Sequence, residues 1–228
     1  MTQTTLICLF EYKDFKNKWH AFIRMGRPPI SLKKTNGLTF FKPLGTGSGV
    51  GFSIKPDFST FGFIAAFDTE QQTKNFTSST AVERYKQNAL NFSVLFMKNI
   101  KSHGEWGKQN PFKSSTELDK SKPLAVITRA TIKPKLAYKF WKNVPAVSKS
   151  MDAYKELLYS KGIGKFSLLM QATFAILPSA GGRFNYAYSN PKHAEMVKKT
   201  RELNWCSEEL FARFEPYHIE GNLISKFL

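Results

Sequence analysis

The 228-residue chain has few of the residues from which catalytic and metal sites are usually built. It contains 2 cysteines and 4 histidines. Cys8 and Cys206 form no CxxC or comparable ligand spacing, and the histidines are well separated, so neither a zinc site nor a disulfide framework is indicated. The sequence also lacks GxSxG and HExxH motifs. These absences argue against the hydrolase classes that depend on them.

Acidic residues are scarce as well, with 17 Asp and Glu against 34 Lys and Arg, for a formal net charge of +17. Such a charge places a positive field over much of the surface, which suits an anionic membrane, an acidic protein or nucleic acid. The basic residues are dispersed, and no zinc-finger or aromatic RNP-like pattern accompanies them. We therefore predict no nucleic-acid partner, and keep an anionic membrane surface and an acidic protein as alternatives.

No stretch of the sequence reaches 18 uninterrupted apolar residues, and charges follow the first apolar residues closely. This pattern predicts neither a secretory signal nor a membrane-spanning segment. We expect a cytoplasmic protein, either soluble or peripheral on the inner membrane face, with reduced cysteines.

Aromatic residues are abundant, at 14% of the chain with 21 phenylalanines. They favour a β-rich core, and they are also typical of a pocket for a large apolar ligand.

Hydrophobic periodicity predicts the same order of elements twice. In the first half, strands are predicted at 5–12, 37–44, 59–67 and 91–100, with a helix after Asp14 and a polar helix over 69–89. The aromatic stripe of the first helix comprises Phe15, Trp19, Phe22 and Ile23. In the second half, strands are predicted at 123–132, 156–160, 168–177 and 207–216, with helices opened by Pro134 and by Asn190-Pro191.

Two βαββαβ units predict an α+β fold of two ferredoxin-like halves, whose antiparallel sheets pack together or close as an α+β barrel. The first half spans 1–106, a polar linker spans 107–123, and the second half spans 124–228, in one compact body. Glycine-rich segments at 45–52 and 162–166 occupy the same slot in each half. The first joins strand to strand and is not a phosphate loop.

His193 is the histidine with the most distinctive setting. It lies in the first turn of a predicted helix, on one stripe with Met196 and Val197. A helix N-terminus disfavours imidazolium, which keeps the ring neutral and available to a metal such as haem iron, and haem needs only one protein ligand. A core histidine bonded to a backbone carbonyl is the alternative.

Three further residue types are weighed in the same way. Arg129 lies within a predicted strand and requires an anionic partner, either a protein carboxylate or a haem propionate. Cys206 is a formal candidate for a thiolate ligand, without a flanking motif. His20 on the first helix, and His103 and His218 in predicted loops, are expected to be exposed.

Five blocks of the sequence resemble the spheroidene monooxygenase family of acyclic carotenoid 2-ketolases. They are GTGSGVGF (45–52), GEWGKQNPF (104–112), TRATIKPKLAYKFWKNVPAVSKS (128–150), GIGKFSLLMQATFAILP (162–178) and HAEMVKKTRELNWCSEELFARF (193–214). The resemblance covers nearly the whole chain in the same order.

The resemblance implies a haem b-dependent, O2-dependent oxidoreductase of carotenoid biosynthesis. Such a monooxygenase inserts oxygen at C2 of an acyclic carotenoid end group, giving a 2-hydroxy or 2-keto product, with two electrons per round from a donor such as an acidic ferredoxin. His193 becomes the expected axial iron ligand, with Met196 and Val197 against the porphyrin and Phe140 and Trp141 on a facing helix. Arg129 becomes a candidate propionate contact. The family does not share Cys206, which argues against a thiolate ligand.

Two rival functions remain. One is a haem dehydratase or haem carrier on the same fold, which in the dehydratase case needs a distal acid such as His20 or His103. The other is a basic nucleic-acid-binding module without a cofactor.

Overall fold

The structure is a computed structural model, and it describes residues 2–29, 32, 35–49, 55–142, 157–164, 170–179 and 202–225. The predicted helix start at 190–191 and the candidate residues His193, Met196 and Val197 lie outside the described residues.

Eight strands and three helices form the described part of the chain, together with a 3₁₀ turn at Pro134–Leu136 that continues as helix through 137–142. The strands are β1 (Thr4–Glu11), β2 (Leu38–Gly47), β3 (Pro56–Phe67), β4 (Asn91–Gly104), β5 (Leu124–Ile132), β6 (Tyr159–Gly164), β7 (Met170–Leu177) and β8 (Cys206–Gly221). The helices are α1 (Phe15–Gly26), α2 (Glu70–Thr77) and α3 (Thr80–Lys86).

The strands close into a single antiparallel barrel in the order β1-β3-β2-β6-β7-β5-β8-β4. Within the first half the spatial order is β4-β1-β3-β2, and within the second it is β8-β5-β7-β6. Both are the fourth-first-third-second order of a ferredoxin-like sheet. The predicted fold class is confirmed, in the version in which the two sheets close on each other.

The two glycine-rich segments meet at one of the seams between the halves. Gly45 pairs with Gly164, and Thr46 pairs with Ile163, where β2 meets β6. Gly164 has a φ of +147°, which side chains of L-residues rarely adopt. The repeated glycine slot therefore helps to close the barrel.

The barrel interior is filled by side chains from all eight strands. Alternate residues of β5 and β7, such as Ile127 and Phe174, point inward, as strand geometry requires. The connection over 105–123 contributes Trp106 and Phe112 to this core, where both pack edge-on against Phe40. Within the predicted linker over 107–123, Phe112 is thus part of the core.

The structure corrects two of the predicted elements. The single polar helix over 69–89 is two helices, because the chain leaves helical geometry at Ser78 and begins α3 after the N-cap residue Ser79. His103 and His218 lie on β4 and β8 and not in loops, although both are exposed as expected.

None of the helices in the described ranges is long and apolar enough to cross a membrane.

Candidate functional site

The second-half sheet carries an unusual outer face. Because strand residues alternate in direction, the neighbours of the interior residues Ile127 and Phe174 point outward. Six outward residues in adjoining register positions are small, and we call them the small-residue patch. Its members are Thr128, Ala130, Ser160, Gly162, Thr173 and Ala175.

The patch is continuous across three strands. Thr128 of β5 pairs with Thr173 of β7, which in turn pairs with Gly162 of β6. One register step away, Ala175 pairs with Ser160. Only small side chains of these strands therefore cover the sheet backbone here.

The equivalent face of the first half is filled with aromatic side chains. Phe63 pairs with Cys8 and Phe61 pairs with Phe10, all on the outer face of β1 and β3. Helices cover them, with Phe76 of α2 and Tyr85 of α3 packed 5.8 and 5.7 Å from the Phe63 ring centroid. The two halves share a topology but differ in the side-chain volume on this face.

Several buried polar atoms in both halves have no hydrogen-bond partner among the described residues, and two of them lie in or near this part of the second half. Ser160, in the patch, is 8% exposed, and its Oγ is unpaired. Trp205, at the start of β8, is 1% exposed, and its indole Nε1 is unpaired. Buried polar groups are nearly always satisfied, so each of these groups is available to a ligand of the second half.

Phe140 and Trp141 lie at the margin of the patch. Both are buried, and they pack with Ile132 and Trp205 in a cluster that also touches Ala130 of the patch. The Phe140 ring stands edge-on to both tryptophans, at centroid distances of 5.5 and 6.0 Å. These two sequence-predicted residues therefore border the outer face as a rigid apolar wall.

Arg129 lies on the opposite side of β5 from the patch. Its Nη1 forms an ion pair with Glu208 and donates to the backbone oxygen of Glu105 at 3.3 Å, and its Nη2 donates to Thr131 Oγ1 at 2.8 Å. The guanidinium also lies 5.4 Å from the ring centroid of Trp106. Of the two partners that the sequence allowed, the structure provides the protein carboxylate.

Glu208 is held in its charged form. Its Oε1 accepts hydrogen bonds from the backbone N–H groups of Gly107 and Lys108, at 2.9 and 2.8 Å. Burial alone would raise the pKa of Glu208, but the Lys108 N–H, the Arg129 charge and the Gly107 N–H outweigh burial and lower it. Arg129 and Glu208 therefore form a clamp that ties β5, β8 and the start of the 105–123 connection together.

The described histidines and cysteines do not form a metal site. His20, His103 and His218 are exposed, and no group of three His, Cys, Asp or Glu side chains that could hold an ion occurs in the described ranges. Burial, followed by the hydrogen bond and charge of Glu209, raises the pKa of Cys206 to about 12. At neutral pH, Cys206 is therefore a neutral thiol in this environment.

The structure thus separates the sequence-predicted site residues into three groups. Phe140 and Trp141 lie beside the patch, Arg129 faces the barrel interior, and His193, Met196 and Val197 lie outside the described residues. Sequence reasoning missed the patch itself. The signal was present in the alternation of small Thr128 and Ala130 with Ile127 and Arg129, but it becomes visible only when β6 and β7 are placed beside β5.

The sequence is similar to three curated proteins named spheroidene monooxygenase. The protein from Rhodobacter capsulatus is 34% identical over 190 residues, which cover 82% of this chain and 79% of that protein. The protein from Rubrivivax gelatinosus is 30% identical over 81% of this chain and 71% of its own length. The protein from Cereibacter sphaeroides is 27% identical over 93% of this chain and 66% of its own length. No protein-family model matches the chain.

Among solved structures, the fold is similar to that of aldoxime dehydratase. The TM-score is 0.64 at 11% sequence identity, and the match covers 94% of this chain and 82% of that one. A second aldoxime dehydratase, in complex with butyraldoxime, gives the same TM-score at 10% identity. At this identity the likeness concerns the fold alone.

Proposed function

Because this chain belongs to the spheroidene monooxygenase family, we propose that it is a haem b-dependent monooxygenase that inserts oxygen at C2 of an acyclic carotenoid end group. Family membership makes it an oxygenase enzyme. The proposal adds the cofactor, the substrate class and the position of attack. The small-residue patch is the observation on which the proposed location of the cofactor rests.

The patch fits a large flat cofactor on the second-half sheet. In the first half, the outer face carries the large side chains of Phe61 and Phe63, whereas in the second half it carries the small residues Thr128, Gly162 and Thr173. Porphyrin sites are lined mainly by apolar groups with a few polar ones, which Phe140, Trp141 and the unpaired Ser160 Oγ would supply. Haem iron would supply O2 activation, with two electrons per round from a donor such as ferredoxin.

The iron ligand in this proposal is His193. In the first half, the connection from β3 to β4 carries α2 and α3, whose Phe76, Val82 and Tyr85 pack on the outer face. The equivalent connection of the second half, from β7 to β8, carries His193, Met196 and Val197. The repeated topology therefore supports an approach of His193 to the patch.

The remaining residues have roles that follow from their positions. Phe140 and Trp141 would hold the cofactor edge and exclude water, which protects the reaction from side paths. Arg129 is already neutralised by Glu208 and faces the barrel interior, so the site described here does not need it. A contact between Arg129 and a propionate stays a prediction from the sequence, which this arrangement does not favour.

The haem proposal is tested by the absorption spectrum of the purified protein, recorded as isolated, after dithionite and after CO. We expect a Soret band that shifts at both steps. His193→Ala should lose haem or alter the spectrum, and added imidazole should partly restore it. His20→Ala is the matched control, since His20 is exposed on α1, and it should leave the spectrum unchanged. Loss of haem from His20→Ala together with an unchanged His193→Ala spectrum would show that the ligand is wrong.

The patch itself is tested by filling it. Thr128→Phe should lower the haem content per protein, because the ring would occupy the space above the sheet. Thr39→Phe is the control, since Thr39 is an exposed residue of β2 in the first half. Equal haem content in a folded Thr128→Phe protein and in the control would place the cofactor elsewhere.

The dehydratase alternative is separated from the oxygenase by the requirement for O2. A dehydratase needs a distal acid, and neither His20 nor His103 is folded into the patch. Phe211 of β8 pairs with Thr128 on one side and with His103 on the other, so Phe211 separates His103 from the patch. His103 is exposed. Conversion of an acyclic carotenoid under strict anaerobiosis would refute the oxygenase proposal.

A further inference from the structure

Helix α1 presents its aromatic stripe to solvent. The helix packs on the barrel through Ala21 and Met25, which are buried. Phe15, Trp19 and Ile23 recur every four residues on another side of the helix, and they are 82%, 52% and 45% exposed. An amphipathic surface helix normally has its apolar residues on the core side, so the exposed stripe is a second apolar side of α1 that the core does not cover.

The exposed surface extends from α1 onto β3. The Trp19 ring stacks on Phe22 at a centroid distance of 5.7 Å, and Phe22 contacts Phe58 at 6.4 Å. Phe58, near the start of β3, is 54% exposed. We call Phe15, Trp19, Ile23 and Phe58 the aromatic ridge. Contiguous exposed apolar surface of this kind marks a site of interaction with another protein or with a membrane.

Cationic side chains border the ridge. Lys16 and Lys18 lie on either side of the stripe on the helix, Lys13 precedes it, and Arg27 follows it. These four residues form no ion pair in the part of the chain that the structure describes. Their charge is therefore available to an anionic partner.

We propose that the aromatic ridge and its lysines dock the protein on the surface of an anionic phospholipid bilayer. Trp and Phe enter the interfacial region with their apolar bodies, while lysines reach the phosphate groups. A second copy of the chain fits less well, because the like charges on the rim would face each other. An acidic protein would satisfy the lysines but would not account for four exposed apolar side chains.

The docking surface is independent of the proposed chemistry, since binding to lipid requires neither substrate nor turnover. The full-length protein is floated with vesicles of phosphatidylglycerol and phosphatidylcholine, or of phosphatidylcholine alone. We expect binding to the anionic vesicles that weakens as salt rises. Of the four tryptophans only Trp19 is exposed, so its emission should shift to the blue on binding, and Trp19→Phe should abolish the shift.

Two sets of variants with matched controls test whether the lysines and the aromatic ridge bind the vesicles. The first variant replaces three lysines beside the ridge with Gln, namely Lys13, Lys16 and Lys18, and it should bind the anionic vesicles more weakly by roughly fivefold per lysine. Its control replaces three lysines that are exposed elsewhere, namely Lys101, Lys113 and Lys120, and should have a smaller effect. The second variant replaces three ridge residues with Ser, namely Phe15, Trp19 and Ile23, and it should weaken vesicle binding by more than about tenfold. Its control is Leu90→Ser with Leu118→Ser, which removes exposed apolar side chains outside the ridge and should not weaken binding. Thermal unfolding verifies that each variant is folded.

Three outcomes would overturn the proposal. The first is that the ridge variant and its control bind vesicles equally well. The second is that the protein binds uncharged vesicles and that salt does not affect this binding. The third is that the wild-type protein binds no vesicles and forms a dimer, which the ridge substitutions convert to a monomer. The last outcome would assign the ridge to a second copy of the chain.

Discussion

The clamp between Arg129 and Glu208 gives a prediction that separates a structural role of Arg129 from a role in binding the cofactor. The Arg129 side chain is 6% exposed and that of Glu208 is 18% exposed. Removing one partner of a buried ion pair leaves the other charge uncompensated, at a cost of about 3–5 kcal/mol. Because Glu208 is partly exposed, we expect Glu208→Ala and Arg129→Met each to destabilise the protein by about 3 kcal/mol.

A change of this size in a domain of this length lowers the melting temperature by roughly 6–12 °C. The assay is thermal and urea unfolding of both single variants and of the double variant. The double variant should be less destabilised than the sum of the single ones, since each single variant already breaks the pair. Haem content should respond equally to either substitution.

The refuting result is a difference in haem content. If Arg129→Met loses haem while Glu208→Ala keeps it at equal stability, Arg129 contacts the cofactor and the assignment of the clamp is wrong.

Three further predictions follow from the geometry. The folded-state pKa values of Glu208 and Asp57 are lowered, for Asp57 because its bonds to Lys161 and Ser59 outweigh burial. Both carboxylates therefore stabilise the protein at pH values above their ordinary pKa values of 4.5 and 3.8, and this stabilisation is lost as pH falls through the folded-state pKa values. Acid titration of the melting temperature should show a smaller drop in an Asp57→Asn variant than in the wild type. Gly62→Ala should lower the free energy of unfolding in urea by about 1–3 kcal/mol, because a Cβ there would lie 2.0 Å from the backbone oxygen of Cys8. Gly26→Ala is the control and should be neutral or slightly stabilising, because a Cβ there meets no atom within 4 Å. Equal effects of the two substitutions would contradict the packing around Gly62. Cys206 should react slowly with thiol reagents at neutral pH, since burial raises its pKa to about 12, and rapid labelling of Cys206 in the folded protein would contradict this environment.

The fold could be predicted from sequence because strand alternation and helical stripes repeat in the same order. Closure was harder to predict, since the β2–β6 pairing of Gly45 with Gly164 involves residues far apart in the chain. At α1 the pattern correctly indicated an apolar stripe, but the structure shows that Phe15, Trp19 and Ile23 of this stripe are exposed. Periodicity shows that a face is apolar, but it does not show what that face contacts.

The candidate site was predictable only in part for a similar reason. Phe140 and Trp141 became candidates through the resemblance to the family, and they lie beside the patch. For Arg129 the sequence required an anionic partner, but only the register of β5 against β8 shows that Glu208 provides the charge. The patch is a property of three strands together, so no local window of sequence contains it.

Turnover with heavy-isotope O2 tests the proposed oxygenation most directly. The protein is supplied with an acyclic carotenoid, ferredoxin and a reductant, and the product is examined by mass spectrometry for the label and its position. We expect one labelled oxygen at C2 of the end group in the alcohol, with no product when O2 or reductant is omitted. An alcohol product whose oxygen derives from water alone would contradict the proposed oxygenation.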